Sequence, residues 1–199
     1  MGLPLLILAA GKSRRFGEQD KRFAALPHGG VLINALIRRA RKAGLAVSVI
    51  IDVADNVAAD IDAPCLFAPN AQMGMGHSIS DGLKQLALST SADSVLLLPV
   101  DLPLIRIASL QAVAAAARSD NIVVPVCDSR RGHPVAFGRE FWPLLADLSG
   151  DIGAKSVLNK CAAIVQEVRV SDEGIYQDAD TPEQMAELLL RLKPRLRPE

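Results

Sequence analysis

Short apolar runs alternate with amphipathic stretches along most of the chain. Runs that are apolar and often β-branched, as buried strands are, occupy residues 3–9, 47–53, 65–67, 94–100, 122–126 and 165–170. Stretches with helical spacing or strong helix formers occupy residues 31–43, 79–87, 108–118, 154–160 and the segment that follows 181. Asp151 is predicted to cap the helix at 154–160, and Thr181 is predicted to cap the last helix. This alternation predicts an α/β fold, a three-layer sandwich in which helices cover both faces of a mostly parallel sheet.

The first apolar run is followed at once by a basic loop that contains glycine. Open α/β sheets bind ligands in such loops at the carboxyl ends of parallel strands, and Arg14, Arg15 and Lys21 bring positive charge to this one. We therefore predict a site for a polyphosphate; the alternative is a basic turn that only faces solvent. Neither the P-loop nor the dinucleotide fingerprint fits, because positions 6 and 13 are not glycine.

The composition narrows the partners and the location. Lys plus Arg and Asp plus Glu both total 22, and a net charge of zero argues against a nucleic-acid polymer as partner. The three cysteines are far apart, so neither a disulfide framework nor a zinc site is indicated. Without a signal peptide or an apolar run of membrane-spanning length, we expect a cytoplasmic protein that does not contact a membrane. We expect one domain over residues 1–192 and a flexible tail at 193–199.

Two later stretches carry candidate chemistry. Gly74 and Gly76 leave the backbone bare, so a flat nucleobase could lie against it, while Ser78 could cap the following helix; an ordinary glycine-containing helix start is the alternative. Asp101 comes directly after the apolar run at 94–100, where it would lie beside the ligand of the first loop. Because Mg²⁺ is usually held by one or two carboxylates and the substrate's phosphates, we predict that Asp101 binds Mg²⁺. Capping of the next helix is the other interpretation.

Residues 8–21 resemble the opening signature of nucleotidyltransferases that join a nucleoside monophosphate to a phosphorylated acceptor. They read Leu-Ala-Ala-Gly-x-Ser-x-Arg-Phe-Gly-x-x-x-Lys. Within that superfamily of MobA-like NTP transferases, the chain is most similar to the molybdenum cofactor cytidylyltransferases. The resemblance implies one antiparallel strand in the sheet and catalytic roles for Arg15, Lys21 and Asp101. It also implies that the first loop binds the nucleotide through Leu8, Ala9, Ala10, Gly11 and Ser13.

Four later segments resemble the same family. Residues 74–78 resemble its base-binding loop, and the Asp-x-Pro-Leu-Ile run that begins at Asp101 resembles its metal-binding segment. Residues 178–183, Asp-Ala-Asp-Thr-Pro-Glu, resemble the segment whose second acidic residue is the other metal ligand, which is Asp180 here. By the same resemblance, His133 in a Gly-His-Pro run and Lys155 after Gly-Asp-Ile-Gly-Ala face the acceptor.

The resemblance further implies the reaction. The expected cofactor is Mg²⁺, and the expected substrates are CTP and a phosphorylated small molecule, molybdopterin or molybdenum cofactor; pyrophosphate leaves, and a transient protein partner receives the product. CTP is favoured because relatives that transfer guanylate tend to carry Gly-Gly where this chain has Ala10 and Gly11. Residues 27–31 depart from the family's usual run at that place, which bears on the acceptor. The alternatives are a sugar-phosphate nucleotidyltransferase and a non-catalytic nucleotide-binding or cofactor-handover module.

Overall fold

The structure is a computed structural model that describes residues 2–11, 16 and 20–192. Ser13 and Arg15, both predicted to contact the nucleotide, lie outside the described residues, as does the tail at 193–199. The described helices include none that is long and apolar enough to cross a membrane.

A single mixed sheet forms the middle layer. Its strands are β1 (Pro4–Leu8), β2 (Ala46–Asp52), β3 (Cys65–Ala68), β4 (Ser94–Pro99), β5 (Ile122–Cys127), β6 (Arg130–Arg131), β7 (Val135–Gly138) and β8 (Val165–Arg169). The order is β3-β2-β1-β4-β7-β5, with β8 beside β5 at the far edge. Only β7 and the two-residue β6 run against the other described strands. The predicted mostly parallel sheet with an antiparallel strand is therefore confirmed.

Helices cover both faces of the sheet, as a three-layer sandwich requires. They are α1 (Leu32–Lys42), α2 (Met75–Ala87), α3 (Ile107–Ala116), α4 (Trp142–Ala146), α5 (Lys155–Lys160) and α6 (Pro182–Leu190). Buried side chains from α1, α3 and α6 join one apolar core, and those from α2, α4 and α5 join the other. Alternate residues of β1 feed both cores: Leu5 and Ile7 point to the first, and Leu6 to the second. Because both faces are covered, this strand is apolar throughout.

Two predicted helix starts need correction, and one is confirmed. Helix α2 begins at Met75, so Ser78 lies inside its first turn and caps nothing; its hydroxyl lies 3.4 Å from the carbonyl oxygen of Gly74. Asp151 does not cap α5, whose N-cap residue is Ala154. Thr181 caps α6 as predicted, with Gln184 completing a capping box.

The cysteines are free, as predicted, although only Cys127 is fully buried. Cys65 and Cys161 are half-buried. Burial raises the pKa of the Cys65 and Cys127 thiols, which keeps both in the protonated, unreactive form at neutral pH.

Candidate active site

A cavity of about 700 Å³ lies at the carboxyl ends of β1, β2 and β4. Parallel strands present their carboxyl ends at one edge of a sheet, and open α/β folds bind ligands there. Most of the predicted site residues that the structure describes line this cavity: Leu8, Ala9, Ala10, Gly11, Lys21, Gly74, Ser78, Asp101 and Asp180.

Three carboxylates meet at one end of the cavity. Asp101, Asp178 and Asp180 each offer one oxygen, and these oxygens all lie within 4.8 Å of one another. Asp101 follows β4, whereas the other two precede α6, and the buried Ala179 between them donates its N–H to the carbonyl oxygen of Asp101 at 3.1 Å. Because Ala179 is inserted into the core, the carboxylates on either side of it are turned outward together. We call these three residues the acidic cluster.

The acidic cluster has the chemistry of a divalent-cation site. Hard cations such as Mg²⁺ and Mn²⁺ prefer carboxylate oxygens, and the remaining positions are usually filled by water and substrate phosphate. The sequence predicted Asp101 and Asp180 as ligands, and the structure brings both together. It also brings Asp178, which sequence reasoning noticed only as one member of an acidic pair. The Asp-x-Asp spacing was the available signal.

Lys21 provides the positive charge at this end of the cavity. Its ammonium nitrogen lies 2.8 Å from a carboxylate oxygen of Asp101, and the two side chains are only 12% and 19% exposed. Lys21 opens a short 3-10 helix, Lys21–Phe23, which is capped by the side chain of Asp20. An ammonium carries three N–H donors, so Lys21 can contact Asp101 and a phosphate oxygen at the same time.

Arg22 holds this part of the site in place, and sequence reasoning missed it. Its guanidinium donates to the carbonyl oxygen of Ala9 at 2.9 Å and to the carboxylates of Asp20 and Asp55. Burial alone would lower the pKa of Arg22, but hydrogen bonds and charge from the two carboxylates outweigh it and the pKa is raised. Arg22 therefore stays charged and ties the end of β1 to the start of the Lys21 helix. No sequence signal identified it, since its partners are known only from the fold.

The other end of the cavity is mainly apolar. Ala10 lines it with Ile50 of β2 and Ile79 of α2, and all three side chains are nearly or completely buried. Gly74, with φ at 119°, also lines the cavity. A planar base fits such a surface better than a phosphate does, because burying phosphate charge among methyl groups is costly.

Gly76 has a packing role. A side chain there would meet the carbonyl oxygens of Ser149 and Ile152 at 2.7 Å, and its own N–H donates to the carbonyl oxygen of Gly150 at 2.9 Å. The 149–152 segment therefore lies on the bare backbone at Gly76, where sequence reasoning expected the base. Gly74 needs to be glycine for a similar reason, since its Cβ would lie 2.3 Å from Gly150.

The two residues predicted to meet the acceptor differ in position. His133 is half-buried, and its Nδ1 is buried without a hydrogen-bond partner among the described residues. Burial lowers the pKa of His133, and the negative charges of Asp101 and Asp178 oppose that effect, which shows that the ring lies near the acidic cluster. Lys155 is exposed at the first turn of α5 and is not part of the described cavity wall.

A second cavity of about 700 Å³ lies between α1, the 104–107 loop and the 170–174 segment. Its charged groups are engaged within the protein: Arg39 donates to the carbonyl oxygen of Pro103, and Asp172 accepts from Ser109 and from the backbone of Arg106. The bonds to Asp172 fasten the loop after β4 and the start of α3 to the segment after β8, and the bond from Arg39 fastens α1 to the same loop. The hydrogen bonds around the second cavity thus hold in place the loop that follows Asp101.

A model of the MobA-like NTP transferase domain matches residues 5–167. The chain belongs to this family. Among curated proteins, the purine catabolism protein PucB of Bacillus subtilis (strain 168) is 31% identical, over 92% of this chain and 96% of its own length. The nicotine blue oxidoreductase of Paenarthrobacter nicotinovorans is 28% identical, over 92% of this chain and 95% of its own length. The family confirms the predicted resemblance and makes the chain a nucleotidyltransferase by class.

Solved structures show the same fold. A homologue of Mycobacterium tuberculosis Rv0371c from Mycobacterium sp. strain JC1 is 24% identical with a TM-score of 0.82, over 96% of this chain and 98% of that one. A manganese complex of Rv0371c from Mycobacterium tuberculosis is 20% identical with a TM-score of 0.77, over the same shares. A CMP:2-keto-3-deoxy-manno-octonic acid synthetase complexed with CTP is 16% identical with a TM-score of 0.72, again over 96% and 98%.

Proposed function

We propose that this protein transfers CMP from CTP to the phosphate of molybdopterin or molybdenum cofactor, with release of pyrophosphate. The observation that carries the proposal is one cavity with an acidic cluster and Lys21 at one end and a narrow apolar wall containing Ala10 at the other. A nucleoside triphosphate needs both: charge neutralisation at its phosphates and a flat, apolar slot for its base.

In the proposed reaction an acceptor phosphate oxygen attacks the α-phosphorus in line. A new P–O bond forms there, the bond to the β-phosphate oxygen breaks, and pyrophosphate carries away the electron pair. Such a transfer depends on positioning and charge stabilisation, so the protein needs no covalent nucleophile. Lys21 is placed to contact the triphosphate while it remains beside Asp101. Arg15 is proposed to share this role.

The acidic cluster would hold Mg²⁺. When bound, the ion neutralises charge on the phosphates and polarises the phosphorus that is attacked. Asp101 and Asp180, with Asp178, would supply the oxygens. The backbone N–H of Asp180 donates to the side-chain oxygen of Gln184 at 2.8 Å, which holds this segment in place. This fixed geometry reduces the rearrangement needed when the ion binds.

Different observations support the proposed acceptor and the proposed base. MobA-like family membership favours a molybdenum cofactor as acceptor, with His133 and Lys155 proposed to contact it. Ala10, which is only 6% exposed, lines the apolar end of the cavity, which we call the base end because it would hold the nucleobase. Its methyl group takes up room there and favours a pyrimidine over a purine. One relative is named as an oxidoreductase, and a shared fold does not fix the reaction of each member, so the assignment needs a direct assay.

The assay is pyrophosphate release in Mg²⁺ with each of the four nucleoside triphosphates and a panel of acceptors. The proposal expects rapid release with CTP and molybdopterin or molybdenum cofactor. Release only with sugar phosphates would replace it with a sugar-phosphate nucleotidyltransferase. Tight nucleotide binding without release for any acceptor would indicate a non-catalytic handover module.

A further inference from the structure

The carboxylate of Asp52 lines the cavity with one oxygen that has no hydrogen-bond partner among the described residues. Asp52 is the last residue of β2 and is only 2% exposed. One of its oxygens, Oδ1, accepts a hydrogen bond from the backbone N–H of Ala54 at 2.9 Å. The other, Oδ2, is buried and has no hydrogen-bond partner in the part of the chain that the structure describes. Asp52 nevertheless lines the cavity.

A buried carboxylate oxygen without a hydrogen-bond partner is unusual. Most buried polar atoms are hydrogen-bonded, and leaving one unsatisfied is costly. Arg22 does not supply the missing hydrogen bond to Asp52, because its guanidinium donates to Asp20, to Asp55 and to the carbonyl oxygen of Ala9. The geometry is that of an acceptor held ready for a donor that arrives from the cavity.

The strand register places Asp52 beside Ala10. Leu8 pairs with Ile50 in the parallel β1–β2 ladder, so two residues further along Ala10 neighbours Asp52 on the face covered by α2. On its other side Asp52 pairs with Ala68 of β3, which is fully buried. The carboxylate of Asp52 thus lies between the methyl groups of Ala10 and Ala68 and adds a polar group to this apolar part of the cavity wall.

The distance to the acidic cluster suits one nucleotide. Asp52 ends β2 and Asp101 follows β4, and these strands are separated by β1 alone. Two strand spacings amount to about 10 Å. That is close to the reach from the outer edge of a base, across its ribose, to the α-phosphate.

We propose that Asp52 selects an amino-bearing pyrimidine by accepting a hydrogen bond from the 4-amino group of cytosine. Uracil presents a carbonyl oxygen at that place, which would face the Asp52 oxygen and be repelled. Ala10 then separates pyrimidines from purines, and Asp52 separates cytosine from uracil. This inference rests on the proposed function, because it takes the bound molecule to be a nucleoside triphosphate.

The hydrogen bond from Ala54 makes the proposal testable with one substitution. In Asp52→Asn the amide oxygen would keep the Ala54 N–H, so the amide NH₂ would point into the cavity. The acceptor would become a donor, which matches the 4-carbonyl of uracil and opposes the 4-amino group of cytosine.

The experiment measures equilibrium binding of CTP and UTP by calorimetry with Mg²⁺ and no acceptor. Wild type should prefer CTP, and in Asp52→Asn the ratio of CTP affinity to UTP affinity should fall by roughly 10²-fold, with UTP binding gained. Asp60→Asn, an exposed aspartate outside the cavity, is the matched control and should leave the ratio unchanged. An unchanged ratio in folded Asp52→Asn would overturn the inference.

A second probe does not depend on how the variant folds. A CTP analogue with hydrogen in place of the 4-amino group should bind wild type at least about tenfold more weakly than CTP, because Oδ2 of Asp52 then stays unpaired. Equal binding would also overturn the inference. A wild type that prefers CTP but fails either Asp52 test keeps the proposed function, whereas a wild type that binds no nucleoside triphosphate overturns both.

Discussion

The two ends of the cavity are built in different ways. The acidic end brings together side chains from distant parts of the sequence: Lys21 after β1, Asp101 after β4 and two aspartates before α6. The base end is formed mainly by neighbouring strand ends, with Ala10 beside Asp52. One end concentrates charge, and the other sets the width and polarity of an apolar slot.

This difference separates chemistry from selectivity. Charge at the phosphates stabilises the transfer whichever base is attached, so changes at the acidic end should lower turnover with every nucleotide. Width and polarity at the base act on one substrate relative to another, so changes there should alter ratios and leave the best turnover nearly intact. Substitutions at the two ends of the cavity test that division.

Asp101→Asn should lower kcat/KM by about 10³-fold for CTP and for poorer triphosphates alike. The amide is nearly the same size but removes one of the charges that would hold the cation. Asp147→Asn, at an exposed aspartate that follows α4, is the matched control and should be active. Near-wild-type turnover of Asp101→Asn at low Mg²⁺ would show that the acidic end does not bind the catalytic ion.

Lys21→Ala should lower kcat/KM for CTP by about 10²-fold to 10³-fold, as the loss of one stabilising contact to a phosphoryl group does. Its ion pair with Asp101 is largely buried, so the carboxylate left without its partner should also lower the free energy of unfolding, by about 3 kcal/mol. Lys84→Ala on the exposed side of α2 provides the comparison. A large fall in melting temperature with activity retained would make Lys21 structural.

Gly76→Ala should destabilise the protein by about 1–3 kcal/mol, because the new methyl group would lie against the carbonyl oxygens of Ser149 and Ile152. Thermal unfolding measures the effect. Gly11→Ala is the matched control for stability, since a side chain there would meet nothing within 4 Å among the residues that the structure describes. Equal melting temperatures for the two variants would contradict the packing role of Gly76.

Ala10→Gly should narrow the preference for CTP over GTP by about tenfold while turnover with CTP persists. The removed methyl is almost completely buried at the base end, and its loss makes room for a second ring. The measurement is the ratio of kcat/KM values for the two triphosphates in wild type and variant. A wild type that prefers GTP, or a ratio that does not move, would place base selection elsewhere.

The sequence predicts the frame of the molecule well, because buried parallel strands are apolar over their whole length. Runs such as 3–9 and 94–100 contain β1 and β4 with ends shifted by at most one residue. The acidic cluster was partly predictable for a related reason: Asp101 follows a strand, and Asp180 precedes a capped helix, so both positions have local signals. Asp178 lies two residues before Asp180, so its position before the same helix was also visible in the sequence.

Other parts of the site depend on partners that are remote in the sequence. Arg22 is explained by Ala9 and Asp55, and Gly76 by the 149–152 segment. Asp52 is distinguished by the absence of a partner for Oδ2 among the described residues, which no pattern of residue types can reveal. Sequence reasoning assigned Gly76 to the base because a bare backbone looks the same from the sequence whether it faces a ligand or another segment.

The central claim is that the acidic end transfers a nucleoside monophosphate. The most direct test uses CTP that carries radioactive phosphorus at the α position or at the γ position, with molybdopterin or molybdenum cofactor as acceptor and Mg²⁺ present. We expect the α label to enter the acceptor and the γ label to leave in pyrophosphate. The Asp101→Asn variant should still bind CTP but should transfer the α label far more slowly than wild type. Entry of the γ label into the acceptor, or wild-type transfer by Asp101→Asn, would contradict it.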